Sequence, residues 1–216
     1  MKKGICYIIG AGDWYGYPLE IEEQDYVIAV DGGYNTLQRL GIKPDIIIGD
    51  FDSMEGECCG ENIVRLNPIK DETDLLYSIS YGEDMGYKDF YIFGGTGGKR
   101  ISHTIANIQA ISGKTQLHCY LFDREEVLFI IKEKKVYFEK ESKGYLSVFS
   151  LSEGCNGVRE KNLKYSLEDE TITRMYPFGV SNEFIGKRSS ISVKKGELLL
   201  VVPIEVLPYV TIVDEE

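Results

Sequence analysis

The sequence predicts an α/β domain followed by an all-β domain, and three observations carry that expectation. Short, continuous apolar runs rich in β-branched residues stop abruptly at glycine or aspartate through the first part of the chain. Stretches with helical spacing separate those runs, the pattern of a mainly parallel sheet. Past a lysine- and glutamate-rich segment at residues 132–143, helical spacing ceases and alternation takes over.

Taken in order, Gly4 to Ile9 predict a strand stopping at Gly10-Ala11-Gly12. Tyr26 to Val30 predict the next, stopping at Asp31-Gly32-Gly33, with a helix over Tyr34 to Leu40 closed by Gly41. Ile46 to Ile48 predict a third strand. From Asp71 to Gly82, the residues Leu75, Leu76, Ile79 and Ser80 fall at helical spacing. Phe90 to Phe93 predict a strand ending at Gly94-Gly95, followed by a helix over Ser102 to Ser112 and a strand over Leu117 to Phe122. In the later part Tyr145 to Leu151 alternate, Tyr165 to Tyr176 carry scattered β-formers, and Ile191 to Leu200 predict two strands around a tight turn. The expected domains are 1–138 and 139–216.

Composition narrows the function classes. With 43% hydrophobic and 12% aromatic residues the chain can bury a core, which excludes a disordered segment. Its net charge of -11, from 24 basic and 35 acidic residues, argues against a nucleic-acid binder resting on phosphate contacts. Five scattered cysteines without a C-x-x-C pair point to reduced thiols and a cytoplasmic protein. The apolar run after Lys2 and Lys3 is too short for a signal segment, and no stretch reaches transmembrane length, so no membrane partner is expected.

The chemistry concentrates where strands end. Ile46-Ile47-Ile48-Gly49 delivers Asp50 and Asp52 to the carboxyl end of a strand, where open α/β sheets hold ligands. Residues i and i+2 of an extended segment project to one side roughly 7 Å apart, so the pair can share a divalent cation with a phosphorylated substrate. A capped turn ending in Ser53 is the plainer alternative. Asp71 and Asp74, beside Lys70, either flank a metal and phosphate site or supply an N-cap and a first-turn charge to a helix. Gly94-Gly95-Thr96-Gly97-Gly98-Lys99-Arg100 lies between a strand and a helix, where backbone N–H groups and Arg100 can meet phosphate, or where a flexible turn suffices. His103 and Asn107 share a face of the following helix. Asp31-Gly32-Gly33 is a further strand-end carboxylate with permissive backbone, and His118 reads as a satisfied core residue. Gly179-Val180-Ser181-Asn182-Glu183-Phe184 combines neutral donors with a possible apolar wall in Phe184, though a polar loop between strands is the plainer reading.

Together these segments resemble the thiamine pyrophosphokinase (thiamine diphosphokinase) family. Asp31-Gly32-Gly33, Gly49-Asp50-Phe51-Asp52-Ser53 and Lys70-Asp71-x-Thr73-Asp74 look like its acidic motifs in the right order. Arg100-x-x-His103-Thr104-x-x-Asn107 looks like its G-G-R-x-D-H-x-x-x-N segment, and Gly179 to Phe184 like its second-domain signature. The resemblance implies an N-terminal α/β nucleotide-binding domain, a C-terminal β-sandwich domain that binds thiamine, and a homodimer with active sites at the subunit interface. It implies transfer of pyrophosphate from ATP to the hydroxyl of thiamine, giving thiamine diphosphate and AMP, with Mg²⁺ as cofactor. Asp50, Asp52 and Asp74 then look like ligands of Mg²⁺ or substrate phosphate, assisted by Asp71, with Lys70 and Arg100 on phosphate. Asp31, Gly32, Gly33, Ser53, Thr73, Gly95, His103 and Asn107 fall on the ATP side, and Ser102, Ser181 and Asn182 on the thiamine side. Two positions depart from the family pattern: Lys99 replaces a glycine and Ser102 an aspartate. A pyrophosphokinase for another heterocyclic alcohol, such as a pterin, and a non-catalytic Mg-nucleotide module are the competing expectations.

Overall fold

The structure is a computed structural model that describes residues 4–50, 62–67, 72–98 and 100–215. Phe51, Asp52, Ser53, Lys70, Asp71 and Lys99 lie outside the described residues. The chain divides into two compact units, one ending at Arg124 and one beginning at Glu125.

Among the described residues of the first unit, six strands run β1 Ile5–Ile9, β2 Tyr26–Val30, β3 Ile46–Gly49, β4 Ile63–Arg65, β5 Asp89–Phe93 and β6 His118–Phe122. They pair in parallel in the order β6-β5-β1-β2-β3-β4. Ile8, Ile9, Ile28, Ile47, Ile48 and Ile92 are fully or almost fully buried, the signature of strands covered on both faces. The described helices between them are α1 Gly33–Leu40, α2 Asp74–Asp84 and α3 Ile101–Ser112. Leu37 seals α1 and Ile79 seals α2 against the sheet. Gly41 ends α1 in the left-handed conformation, φ +70°, as its sequence position predicts. The connection from β1 to β2 carries no helix. Instead Trp14 and Tyr17 pack on Phe93 and Phe122, and the Tyr7 hydroxyl donates to the Glu20 carbonyl, so aromatic rings take the place of a covering helix. No helix among the described residues is long and apolar enough to cross a membrane.

The second unit is antiparallel. One sheet orders β12 Gly179–Glu183, β9 Tyr145–Ser150, β14 Glu197–Pro203 and β7 Glu126–Lys132. The other orders β11 Leu167–Thr173, β10 Gly154–Lys161, β13 Ser189–Ser192, β8 Lys134–Phe138 and β15 Val210–Asp214. Phe129, Val136, Phe138, Val148, Val158 and Leu200 fill the space between them.

Three expectations change. The division falls after Arg124 and not after residue 138, because β7 pairs along its length with β14 inside the second unit. The strands over Ile191 to Leu200 do not form a hairpin: β13 and β14 belong to different sheets, and Val193–Gly196 carries the chain from one to the other. His118 is not in the core, its side chain being half-exposed and 2.8 Å from Asp89.

Candidate active site

The strand order of the first unit reverses at β1. The chain moves from β1 through β2 and β3 to β4, then returns to the other side of β1 with β5 and β6. The carboxyl ends of β1 and β5 therefore border the crevice where such sheets bind ligands. Backbone meets backbone there: the Gly10 N–H donates to the Phe93 carbonyl at 2.8 Å and the Gly12 N–H to the Gly94 carbonyl at 2.8 Å. A β-carbon on Gly10, Gly12 or Gly94 would strike the facing carbonyl, so only glycine permits this approach.

The glycine loop after β5 is organised from three sides. Asn107, nearly two turns into α3, donates from Nδ2 to the Gly95 carbonyl at 2.7 Å. The Thr96 hydroxyl donates to the Phe122 carbonyl at 3.2 Å. Asp13 accepts the Gly98 N–H at 3.0 Å, with Gly97 and Gly98 at φ +67° and +72°. Arg100 is the N-cap of α3, and Arg100, Ser102 and His103 are exposed on its first turn. The sequence reading included Asn107 and Gly95 but not Asp13 or Thr96, whose roles are visible only once the loop is folded.

Beyond β1 lie the carboxylates. Asp31 follows β2 in a left-handed conformation, φ +47°, and its carboxylate occupies the space that a side chain at residue 49 would need. Asp50 follows Gly49 directly, so Asp31 and Asp50 stand at neighbouring strand ends and both are half-buried. Holding an aspartate at positive φ costs on the order of 1 kcal/mol, an expense concentrated at functional positions. Gly33 begins α1 with its α-carbon against the Ile9 carbonyl, which leaves no room for a β-carbon and draws the helix N-terminus to the same edge. At α2, Thr73 is the N-cap and its hydroxyl accepts the Leu76 N–H at 3.2 Å, with Asp74 in the first turn. Thr73 thus has a structural task beside the nucleotide-side role expected of it. Three helix N-termini and at least two carboxylates gather along this edge, a setting for phosphate together with a cation.

In the second unit the Ser181-Asn182 segment is a strand, β12, not a loop. Ser181 is exposed, with φ +60°, and its N–H donates to the Ser147 hydroxyl at 3.1 Å. Asn182 is only 4% exposed and all its hydrogen-bonding capacity is used within the chain. Its Nδ2 donates to Glu160 at 2.6 Å and to the Tyr165 carbonyl at 2.7 Å, and its Oδ1 accepts the N–H groups of Tyr165 and Glu183. An amide so committed holds the strand in place; Ser181 is the member of the pair that faces outward. Phe184 is likewise not a wall facing a ligand but a core residue, its ring 5.2 Å from that of Phe138.

Comparison with known proteins agrees with this arrangement. Residues 17–121 match the family described as thiamin pyrophosphokinase, catalytic domain, and residues 133–198 match thiamin pyrophosphokinase, vitamin B1 binding domain. The chain is 32% identical over 190 residues to thiamine pyrophosphokinase of Bacillus subtilis (strain 168), covering 83% of this chain and 88% of that protein. The crystal structure of thiamine pyrophosphokinase from Bacillus subtilis superposes with a TM-score of 0.83 at 26% identity, over 93% of this chain and 99% of the other. That of thiamin pyrophosphokinase from Geobacillus thermodenitrificans gives 0.81 at 24% identity, over 93% and 97%, a likeness of fold. A match through both parts of the chain, with glycines and carboxylates gathered at one sheet edge, places it: the chain belongs to the thiamine pyrophosphokinase family.

Proposed function

We propose that this chain is a Mg²⁺-dependent thiamine diphosphokinase, which moves the terminal pyrophosphoryl group of ATP onto the hydroxyethyl oxygen of thiamine and releases AMP. The observation that carries the reading is the glycine seam and carboxylate row at the switch point of a chain that belongs to this family. In the reaction the thiamine oxygen attacks the β-phosphorus, the bond to the α/β bridging oxygen breaks, and that electron pair leaves with AMP. The hydroxyl proton passes to a carboxylate, for which Asp52 is the proposed acceptor. The loop held by Asn107 and the N-terminus of α3 suit the ATP phosphates, with Arg100, Lys70 and His103 adding positive charge or donors. Positioning and charge stabilisation of this kind can supply most of the catalysis.

Mg²⁺, when bound, neutralises phosphate oxygens and polarises the β-phosphorus. Asp50 and Asp74, with Asp52, are the residues proposed to hold it, hard oxygen donors with no thiolate among them. Beside such carboxylates Mg²⁺ completes its octahedral shell with phosphate oxygens and water. Asp31, Gly32, Gly33, Ser53, Thr73 and Gly95 complete the proposed ATP side, and Ser102 and Ser181 the acceptor side. A homodimer is supported by exposed apolar side chains of the second unit: Met175, Tyr176, Phe178, Tyr165 and Val180 are 46–83% exposed. The buried thiols of Cys6, Cys119 and Cys155 are free, in keeping with a cytoplasmic setting.

Purified protein with ATP and Mg²⁺ should release AMP only when thiamine is added, with thiamine diphosphate formed in equal amount. AMP release with a pterin alcohol and not with thiamine would transfer the reading to a different acceptor. ATP binding without AMP release on any alcohol would make the chain a nucleotide-binding module.

A further inference from the structure

One charged residue breaks the rule that governs the rest of the second unit's core. Glu160, on β10, is 1% exposed. Its Oε2 accepts from Asn182 Nδ2 at 2.6 Å, while its Oε1 meets no hydrogen-bond donor among the described residues. No described cation pairs with it: of its flanking residues, Arg159 reaches Asp169 and Lys161 is exposed. Burial pushes its pKa up to about 7, with the Asn182 hydrogen bond opposing the rise. A well-packed apolar side chain there would be no less stable, and buried polar groups that break the local rule are expected at sites with another duty.

That duty can be read from what Glu160 holds. Reversing the Asn182 amide would set its oxygen against both Glu160 and the Tyr165 carbonyl, so these two acceptors fix its orientation. Asn182 in turn closes a β-bulge. Four residues of β12, from Gly179 to Asn182, lie opposite three of β9, from Val148 to Leu146. The extra residue turns Val180 and Ser181 outward and leaves Asn182 inward. Ser181, inside the bulge, holds a left-handed φ of +60°, a conformation that the surrounding structure must maintain.

We propose that Glu160 is a positioning residue for the acceptor substrate: through Asn182 it locks the bulge that presents Ser181. The inference rests on the preceding reading of Ser181 as an acceptor-side group. Its test compares Glu160→Leu, which removes the acceptor, with Glu160→Gln, which keeps an oxygen for Asn182. Glu160→Leu should raise KM for thiamine roughly tenfold while KM for ATP stays within about twofold, and Glu160→Gln should restore most of the loss. An equal rise in both KM values, or no rise in KM for thiamine, overturns the proposal.

A second measurement is independent of activity. In nitrogen-15 spectra of the full chain, Glu160→Leu should displace the Asn182 side-chain amide and the Ser181 backbone amide, while Glu160→Gln leaves both near their wild-type positions. If neither signal moves in Glu160→Leu, Glu160 does not position the bulge. Wild-type protein that forms no thiamine diphosphate would refute the proposed function instead, and the spectra would still decide the structural role.

Discussion

Glu160→Gln should remove a pH dependence of stability that the buried carboxylate imposes on the second unit. In the unfolded chain the carboxyl group titrates near its ordinary 4.5, and in the fold burial raises it to about 7. Below pH 4.5 the group is protonated in both states and costs nothing. Between the two values the unfolded chain has lost the proton and the folded chain retains it, so stability falls as pH rises. Above about pH 7 both states are ionised and the full burial cost stands. The interval between 4.5 and 7, at about 1.4 kcal/mol per pH unit, sets that cost at about 3 kcal/mol. Glutamine stays neutral throughout, and every other titrating group cancels in the comparison. The difference in unfolding free energy, variant minus wild type, should therefore grow by about 3 kcal/mol between pH 4.5 and pH 8. The only tryptophan, Trp14, lies in the first unit, so urea unfolding should be followed through amide resonances of β10 and β13. A difference that is flat with pH, or that grows in favour of the wild type, would refute the reasoning.

The remaining predictions concern the first unit. Asn107→Ala deletes the hydrogen bond to Gly95 and leaves a carbonyl without its donor, a loss of about 1 kcal/mol; KM for ATP should rise several-fold with little change in KM for thiamine, read by initial rates. Thr73→Ala removes the N-cap of α2 and should lower stability by about 1 kcal/mol in thermal unfolding, whereas Thr73→Ser should restore it. Ser102→Asp restores the charge usual in the family on an exposed turn of α3 and should lower KM for the cationic thiamine; unchanged or worse kinetics would mean that this position does not touch the acceptor.

Much of the first unit was legible because its strands advertise themselves locally. Ile5 to Ile9, Tyr26 to Val30 and Ile46 to Ile48 are apolar on both faces, and each ends at a residue that must turn, so the strand ends and the loops they carry follow directly. Asp31, Asp50 and the glycine loop follow from the same reasoning, and Asp74 from its place at the start of a helical pattern. What resisted was non-local. The separation of β13 and β14 depends on which sheets they join, and a four-residue connection looks the same in a hairpin and in a crossing between layers. His118 begins an apolar run, but its position at the first residue of β6 leaves it at the edge beside Asp89. Glu160 was hidden in Arg159-Glu160-Lys161, which reads as a solvated run. Alternation does contain the signal: Val158 is buried, and two residues on, Glu160 points the same way. Asn182 gave no comparable sign, since its burial is set by a bulge whose extra residue becomes evident only in register with β9.

The seam of Gly10, Gly12 and Gly94 has a consequence for redesign. The loops after β1 and β5 are far apart in sequence yet act as one mechanical piece, so mutagenesis that treats them as separate segments will randomise a joint. Positions 10, 12 and 94 admit nothing larger than a hydrogen without parting the two strands. Ala11, exposed between Gly10 and Gly12, does not face that restriction, whereas the Asp13 carboxylate is committed to the Gly98 N–H. Diversity aimed at the chemistry of this edge belongs at position 11, where the chain can vary its side chain and keep the seam closed.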